Sequence, residues 1–142
     1  MAWNKNDLIP ESEIKEKVTN ATVDFAKRFG SYLGTDDINP KTGKPAGNKL
    51  TTNQLRKFFG EVKRQQMSGY NETDFVLLKP KLAYAVGRAK NPRARINDFY
   101  RVISNAIDNV GNEQHFRNFI KIFEAIVAYH KAAEEGGLDD ND

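Results

Sequence analysis

The chain has no cysteine in 142 residues. That excludes a disulfide framework, a thiolate metal site and a cysteine nucleophile, and it suits a reducing cytoplasm, the expected location. Long apolar runs are missing too. No stretch approaches the ~18 residues of a membrane span, and Met1 to Pro10 has no apolar run of the signal-peptide kind. Histidine is scarce. His115 and His130 lie fifteen residues apart and match no metal-ligand spacing such as two histidines one helical turn apart. His130 continues an apolar stripe, which marks a core or flank position. No useful length of the chain alternates apolar and polar residues with period two, so no sheet is expected.

Catalytic groups are equally sparse. The pairs Asp36-Asp37 and Asp139-Asp140 fall in segments rich in turn and polar residues, where carboxylates are solvated, whereas two-metal chemistry needs them held rigidly. Gly43-Lys44 is no phosphate loop, because Pro45 replaces the required Ser or Thr and the earlier glycine is missing. Glu124 has Lys121 one turn away, the spacing of a surface ion pair. Ser104 has no histidine in a recognised relation to it. The expectation is a chain that is not an enzyme and holds no cofactor and no metal.

Positive charge is abundant and segregated. Residues 1–50 carry 8 Lys and Arg against 7 Asp and Glu, residues 51–101 carry 11 against 4, and residues 102–142 carry 3 against 8. The formal total of +3 therefore conceals a basic middle followed by an acidic end. Such concentration on a small chain is the electrostatic footprint of a polyanion binder. The bland alternative is a well-solvated surface, and a further one is a helical protein-interaction module whose basic face meets an acidic protein partner.

Helical periodicity runs through the sequence. Phe116, Phe119, Ile120, Phe123, Ile126, Val127 and His130 form one stripe of a helix over about 113–133. Ile96, Phe99, Tyr100, Ile103, Ala106, Ile107 and Val110 form another, with Gly111 at a C-cap position. Thr51 and Gln54 have capping-box spacing, and Leu50 and Leu55 occupy the two positions of a hydrophobic staple. Ser12 is placed to cap a helix carrying Ile14, Val18, Ala21, Phe25 and Phe29, which should fray around Gly30 to Gly34. Pro80 fits only the first turn of a helix to about Lys90, with a short helical turn before it. The fold class is therefore all-α, a compact bundle of about five helices without a sheet. Residues 1–133 read as a single helical domain with a long flexible loop over 34–49, and 134–142 as an acidic mobile tail.

The basic residues sort onto these helices. Arg56, Lys57, Lys63 and Arg64 belong to the helix that opens at Thr51. Lys81 and Arg88 flank Tyr84 on the next, with Lys79 in its first turn. Lys90 and Arg93 lie in the following turn, and Arg95 and Arg101 are expected on the outer side of the helix after it. Such side chains neutralise phosphates without reading sequence. Tyr70 and Tyr84 either stack on unpaired bases or are partly buried in the bundle. A DNA-binding helix-turn-helix is disfavoured, because the helix after Gly111 balances Glu113 and Glu124 against Arg117 and Lys121.

Three stretches resemble the small subunit of type III-A CRISPR effector complexes, the Csm complex. They are Leu55-Arg56-Lys57-Phe58-Phe59 with Val62-Lys63-Arg64; Leu78-Lys79-Pro80-Lys81-Leu82-Ala83-Tyr84-Ala85-Val86-Gly87-Arg88; and Phe119 through Tyr129-His130-Lys131. The similarity covers about 50–132. It implies an all-helical, non-catalytic subunit whose copies stack along guide RNA and target RNA beside the backbone and large subunits. It implies contacts to the RNA backbone through basic faces, in antiviral and antiplasmid defence. In that family target RNA cleavage belongs to the backbone subunit, and DNA cleavage and cyclic oligoadenylate synthesis to the large subunit.

Overall fold

Helices start where a side-chain oxygen can accept the free backbone N–H groups of the first turn. Thr19, Thr51, Asn71 and Asn112 each do so here. The computed structural model describes residues 2–136. Among these, seven helices follow one another: α1 (Glu11–Lys15), α2 (Asn20–Gly34), α3 (Thr52–Ser68), α4 (Glu72–Val76), α5 (Leu78–Ala89), α6 (Ile96–Asp108) and α7 (Glu113–Glu134). Five are 12 residues or longer, and α1 and α4 are single short turns. No strand occurs among the described residues; one isolated bridge pairs Ile38 with Pro45.

The first expected helix is two. The cause is Glu13, which is buried and turns its carboxylate onto the start of α2. It accepts from the Thr19 backbone N–H (2.7 Å), the Thr19 hydroxyl (2.8 Å), the Thr22 N–H (3.0 Å) and the Thr22 hydroxyl (2.7 Å). Burial pushes the Glu13 carboxyl up, but these hydrogen bonds outweigh it and hold the pKa below the ordinary value. The Asn118 amide of α7 donates to the Ile14 carbonyl at 2.9 Å and so ties α1 to the far end of the chain.

Gly30 and Gly34 do not fray α2. They remain helical and let α7 approach. A Cβ at Gly30 would stand 2.7 Å from both the Ile126 carbonyl oxygen and the Tyr129 Cβ, and one at Gly34 would stand 2.5 Å from the His130 carbonyl oxygen. The α2–α7 pair is the most extensive packing in the molecule, and α7 also packs against α1 and α3. His130 is buried there, and its Nε2–H donates to the Leu50 carbonyl at 2.7 Å.

The Thr51 capping box forms as expected, with Thr51 Oγ1 accepting from the Gln54 N–H and the Gln54 side chain accepting in return. Leu50 and Leu55 are both buried. Pro80 is the third residue of α5, where its missing N–H costs no hydrogen bond. Lys90 ends α5 in the left-handed conformation. Gly111 does not act as a left-handed cap. Its N–H donates to His115 Nδ1 at 3.0 Å, linking α6 to α7. Phenylalanines join the layers: Phe58 meets Phe99 and Phe123 edge-on at 5.6 and 5.5 Å, and Phe75 meets Phe119 at 5.1 Å.

The connection between α2 and α3 is tied down by polar groups. Asp36 accepts from the N–H groups of Gly47 and Asn48, both at 2.9 Å, and Asp37 accepts from the Asn48 amide at 2.8 Å. Asp37 is exposed and Asp36 half-buried, and both also close the loop as hydrogen-bond acceptors. Glu134, expected to open the tail, closes α7 and accepts from the Thr52 hydroxyl. Glu135 caps α7 and Gly136 follows it in a turn, and the rest of the expected mobile tail, residues 137–142, lies outside the described residues.

Candidate nucleic-acid interface

The basic residues of the middle segment divide by what each one touches. Arg56 and Lys57 on α3, Arg88 on α5, and Lys90 and Arg93 in the turn after it are exposed, and none pairs with a carboxylate among the described residues. The others are engaged. Lys63 meets Glu124 of α7 at 2.6 Å, which replaces the expected Glu124–Lys121 pair. Lys79 meets Asp108 at 2.6 Å. Arg101 lies 3.7 Å from Asp98, its guanidinium 5.7 Å from the Trp3 ring centre.

Glu61 collects two of these cations. It accepts from Arg64 at 2.6 Å and lies 3.2 Å from Lys81, so it joins α3 to α5. Hydrogen bonds from Arg64, then Gln65 and Lys81, outweigh burial and hold its carboxyl down at about 2.

Arg95 departs from expectation. It is 7% exposed and lies under the molecule's surface, not on an outer face of α6. Its guanidinium donates to the carbonyls of Tyr32 and Thr35, to Thr35 Oγ1 at 2.9 Å and to Asp37 at 2.7 Å, and stacks 4.2 Å from the Tyr32 ring centre. Arg95 precedes Ile96 as the N-cap residue of α6, and this turns it inward toward the end of α2. A guanidinium committed to these partners cannot reach a phosphate, so Arg95 leaves the candidate set.

The two tyrosines also separate. Tyr70 is half-buried, 5.2 Å from Phe116 and 6.1 Å from Phe75. Tyr84 is 69% exposed, with the Arg88 guanidinium 5.9 Å from its ring centre.

Lys57, Lys81, Tyr84 and Arg88 converge on one groove of about 580 Å³ between α3 and α5. Its floor is apolar, from Phe58, Leu78, Leu82, Ile96 and Phe99, and Asn53, Gln54 and Glu61 complete the α3 wall. Lys63, Lys79 and Arg101 do not line it. Sequence periodicity placed Lys81, Tyr84 and Arg88 on one face. It missed Glu61, whose three-residue spacing to Arg64 was a usable local signal, and Asn53. Among the described residues no cluster of His, Asp and Glu could hold a metal ion, and no helix is long and apolar enough to cross a membrane.

A family model described as Csm2 Type III-A matches residues 16–136. The chain belongs to the Csm2 type III-A family. Csm2 is the small structural subunit of the type III-A CRISPR effector complex. The match spans every helix from α2 to α7, so the α3–α5 groove and its cations lie wholly inside the Csm2 region. Neither a curated protein nor a solved structure matches the chain.

Proposed function

We propose that this Csm2-family chain is a non-catalytic RNA-binding subunit of a type III-A CRISPR ribonucleoprotein. Several copies stack along the guide RNA and target RNA, against the backbone and large subunits, and hold phosphates without reading base sequence. The protein works in the cytoplasm in antiviral and antiplasmid defence. Residues 1–133 act as one domain.

The observation that carries this reading is the set of exposed cations without carboxylate partners among the described residues: Arg56, Lys57, Arg88, Lys90 and Arg93. A cation already paired must give up its partner before it can meet a phosphate; these five need not. Binding should weaken with salt, with a log–log slope of about −0.7 per phosphate neutralised on a single strand.

The test is charge reversal at Lys57, Arg88 and Arg93 against a matched reversal at the exposed Lys17, Lys41 and Lys44. The first variant should lose most of its RNA affinity in a filter or anisotropy titration, and the second should keep it. Equal loss in both would mean that only net charge matters. Loss in neither, together with binding to an acidic polypeptide, would favour a helical interaction module whose basic face meets an acidic protein.

A further inference from the structure

We propose that the groove between α3 and α5 seats one unstacked nucleobase of a bound RNA strand, with Tyr84 as the stacking wall and Lys57 and Arg88 on the phosphates to either side. This rests on the RNA-binding reading above and assigns it a specific seat.

Phosphate contact alone needs no groove, because exposed lysines on a convex helix suffice for it. Here two helices that carry cations on their outer lips stand apart over an apolar floor. The opening, about 580 Å³, falls among sites that hold small organic groups, roughly 300–1,000 Å³. A nucleobase is flat, with apolar faces and a polar edge. Phe58, Leu82 and Phe99 offer its faces an apolar bed, and Asn53, which makes no side-chain hydrogen bond among the described residues, stands at the α3 wall to meet an edge. An amide both donates and accepts, so it serves any of the four bases.

Charge selects the occupant. The groove is lined by Lys57, Lys81 and Arg88 against Glu61 alone, and Glu61 is already saturated by Arg64, Gln65 and Lys81. Lys57 and Arg88 therefore face the opening from opposite helices with no carboxylate partner among the described residues. An anionic backbone running across the groove meets one cation on each lip, while the base between them drops to the floor. Tyr84 fits the same geometry. It keeps 69% of its surface in solvent beside the Arg88 guanidinium, the aromatic-plus-arginine platform on which unpaired bases stack.

The experiment compares a short oligouridylate with the same strand made abasic, which keeps sugar and phosphate but removes every base. The wild-type protein should bind the oligouridylate about fivefold or more tightly than the abasic strand, the lower end of what base–aromatic stacking contributes. Tyr84→Ala should erase that difference while leaving affinity for the abasic strand intact, and Tyr84→Phe should keep it. Ala85→Leu, which fills the groove from α5 without changing charge, should also erase it. Binding of neither strand by the wild type would sink the RNA reading itself. Equal wild-type binding to both would leave the phosphate reading standing and overturn the base seat. Equal loss on both strands in Tyr84→Ala would overturn it as well, because that pattern marks a general effect. Displacement of RNA from the groove variants by an acidic peptide, with no discrimination between the strands, would assign the groove to a protein.

Discussion

Glu61 is the residue whose removal should act in opposite directions on stability and on binding. Its folded pKa, about 2, lies below the ordinary value of 4.5, because the Arg64 hydrogen bonds and the nearby Lys81 favour the charged form. A depressed carboxylate stabilises the fold above its ordinary pKa, and that contribution is lost as pH falls from about 4.5 toward 2. Glu61→Gln should therefore be less stable at neutral pH, by about 1 kcal/mol given that Arg64 and Lys81 are largely solvated. The gap from wild type should close on acidification through that window, as thermal melts across pH will show. The same change frees Lys81 and Arg64 and removes the groove's one negative charge, so RNA affinity at neutral pH should rise. A fall in both stability and affinity would mean that Glu61 shapes the groove and does not merely neutralise it. Residue-scale facts of this kind were only partly legible. The Glu61–Arg64 spacing is local, but Lys81 reaches Glu61 from another helix. Arg95 carried no local mark of burial, because its partners lie 58 to 63 residues away in the chain.

At the scale of the helices, two pairs of glycines behave oppositely for a geometric reason. Gly60 in α3 and Gly87 in α5 are solvent-exposed with no atom within 4 Å of a built Cβ, whereas Gly30 and Gly34 in α2 press on the α7 backbone. Alanine at Gly60 or Gly87 only restricts the unfolded chain and improves helix propensity, so each should stabilise the protein by about 0.5–1 kcal/mol. Gly30→Ala drives a methyl into backbone that cannot yield and should destabilise by about 1–3 kcal/mol. Urea denaturation of the three variants checks the signs. If Gly30→Ala is neutral, the α2–α7 approach is looser than described. Apolar stripes announced α2, α6 and α7, while the Thr51-Gln54 capping box announced α3 and Pro80 announced α5. The break between α1 and α2 stayed hidden, because a buried glutamate that caps the following helix looks in sequence like an ordinary helical residue. Gly30 and Gly34 were misread as fraying for the same reason: their role is defined by the backbone of another helix.

For the molecule as a whole, α7 holds contacts that no earlier segment can supply. It packs on α1, α2 and α3, its Asn118 reaches Ile14 across 104 residues, and its His130 reaches Leu50 across 80. A fragment ending at Gly111 leaves Phe25, Phe29 and Leu33 of α2 without their main packing partner. It should show neither a cooperative thermal transition nor native helix content by circular dichroism, and adding a peptide of residues 112–136 should restore part of both. A folded fragment would show that α3, α5 and α6 form a self-sufficient unit. The placement of α7 also sets a timetable for the living cell. A ribosome delivers the first helices well before the last one, and at roughly 5–20 residues per second the Ile14 carbonyl waits roughly 5–20 seconds for Asn118 to be made. Throughout that interval the greasy face of the nascent α2 is uncovered, and it is there that a chaperone would engage the growing chain.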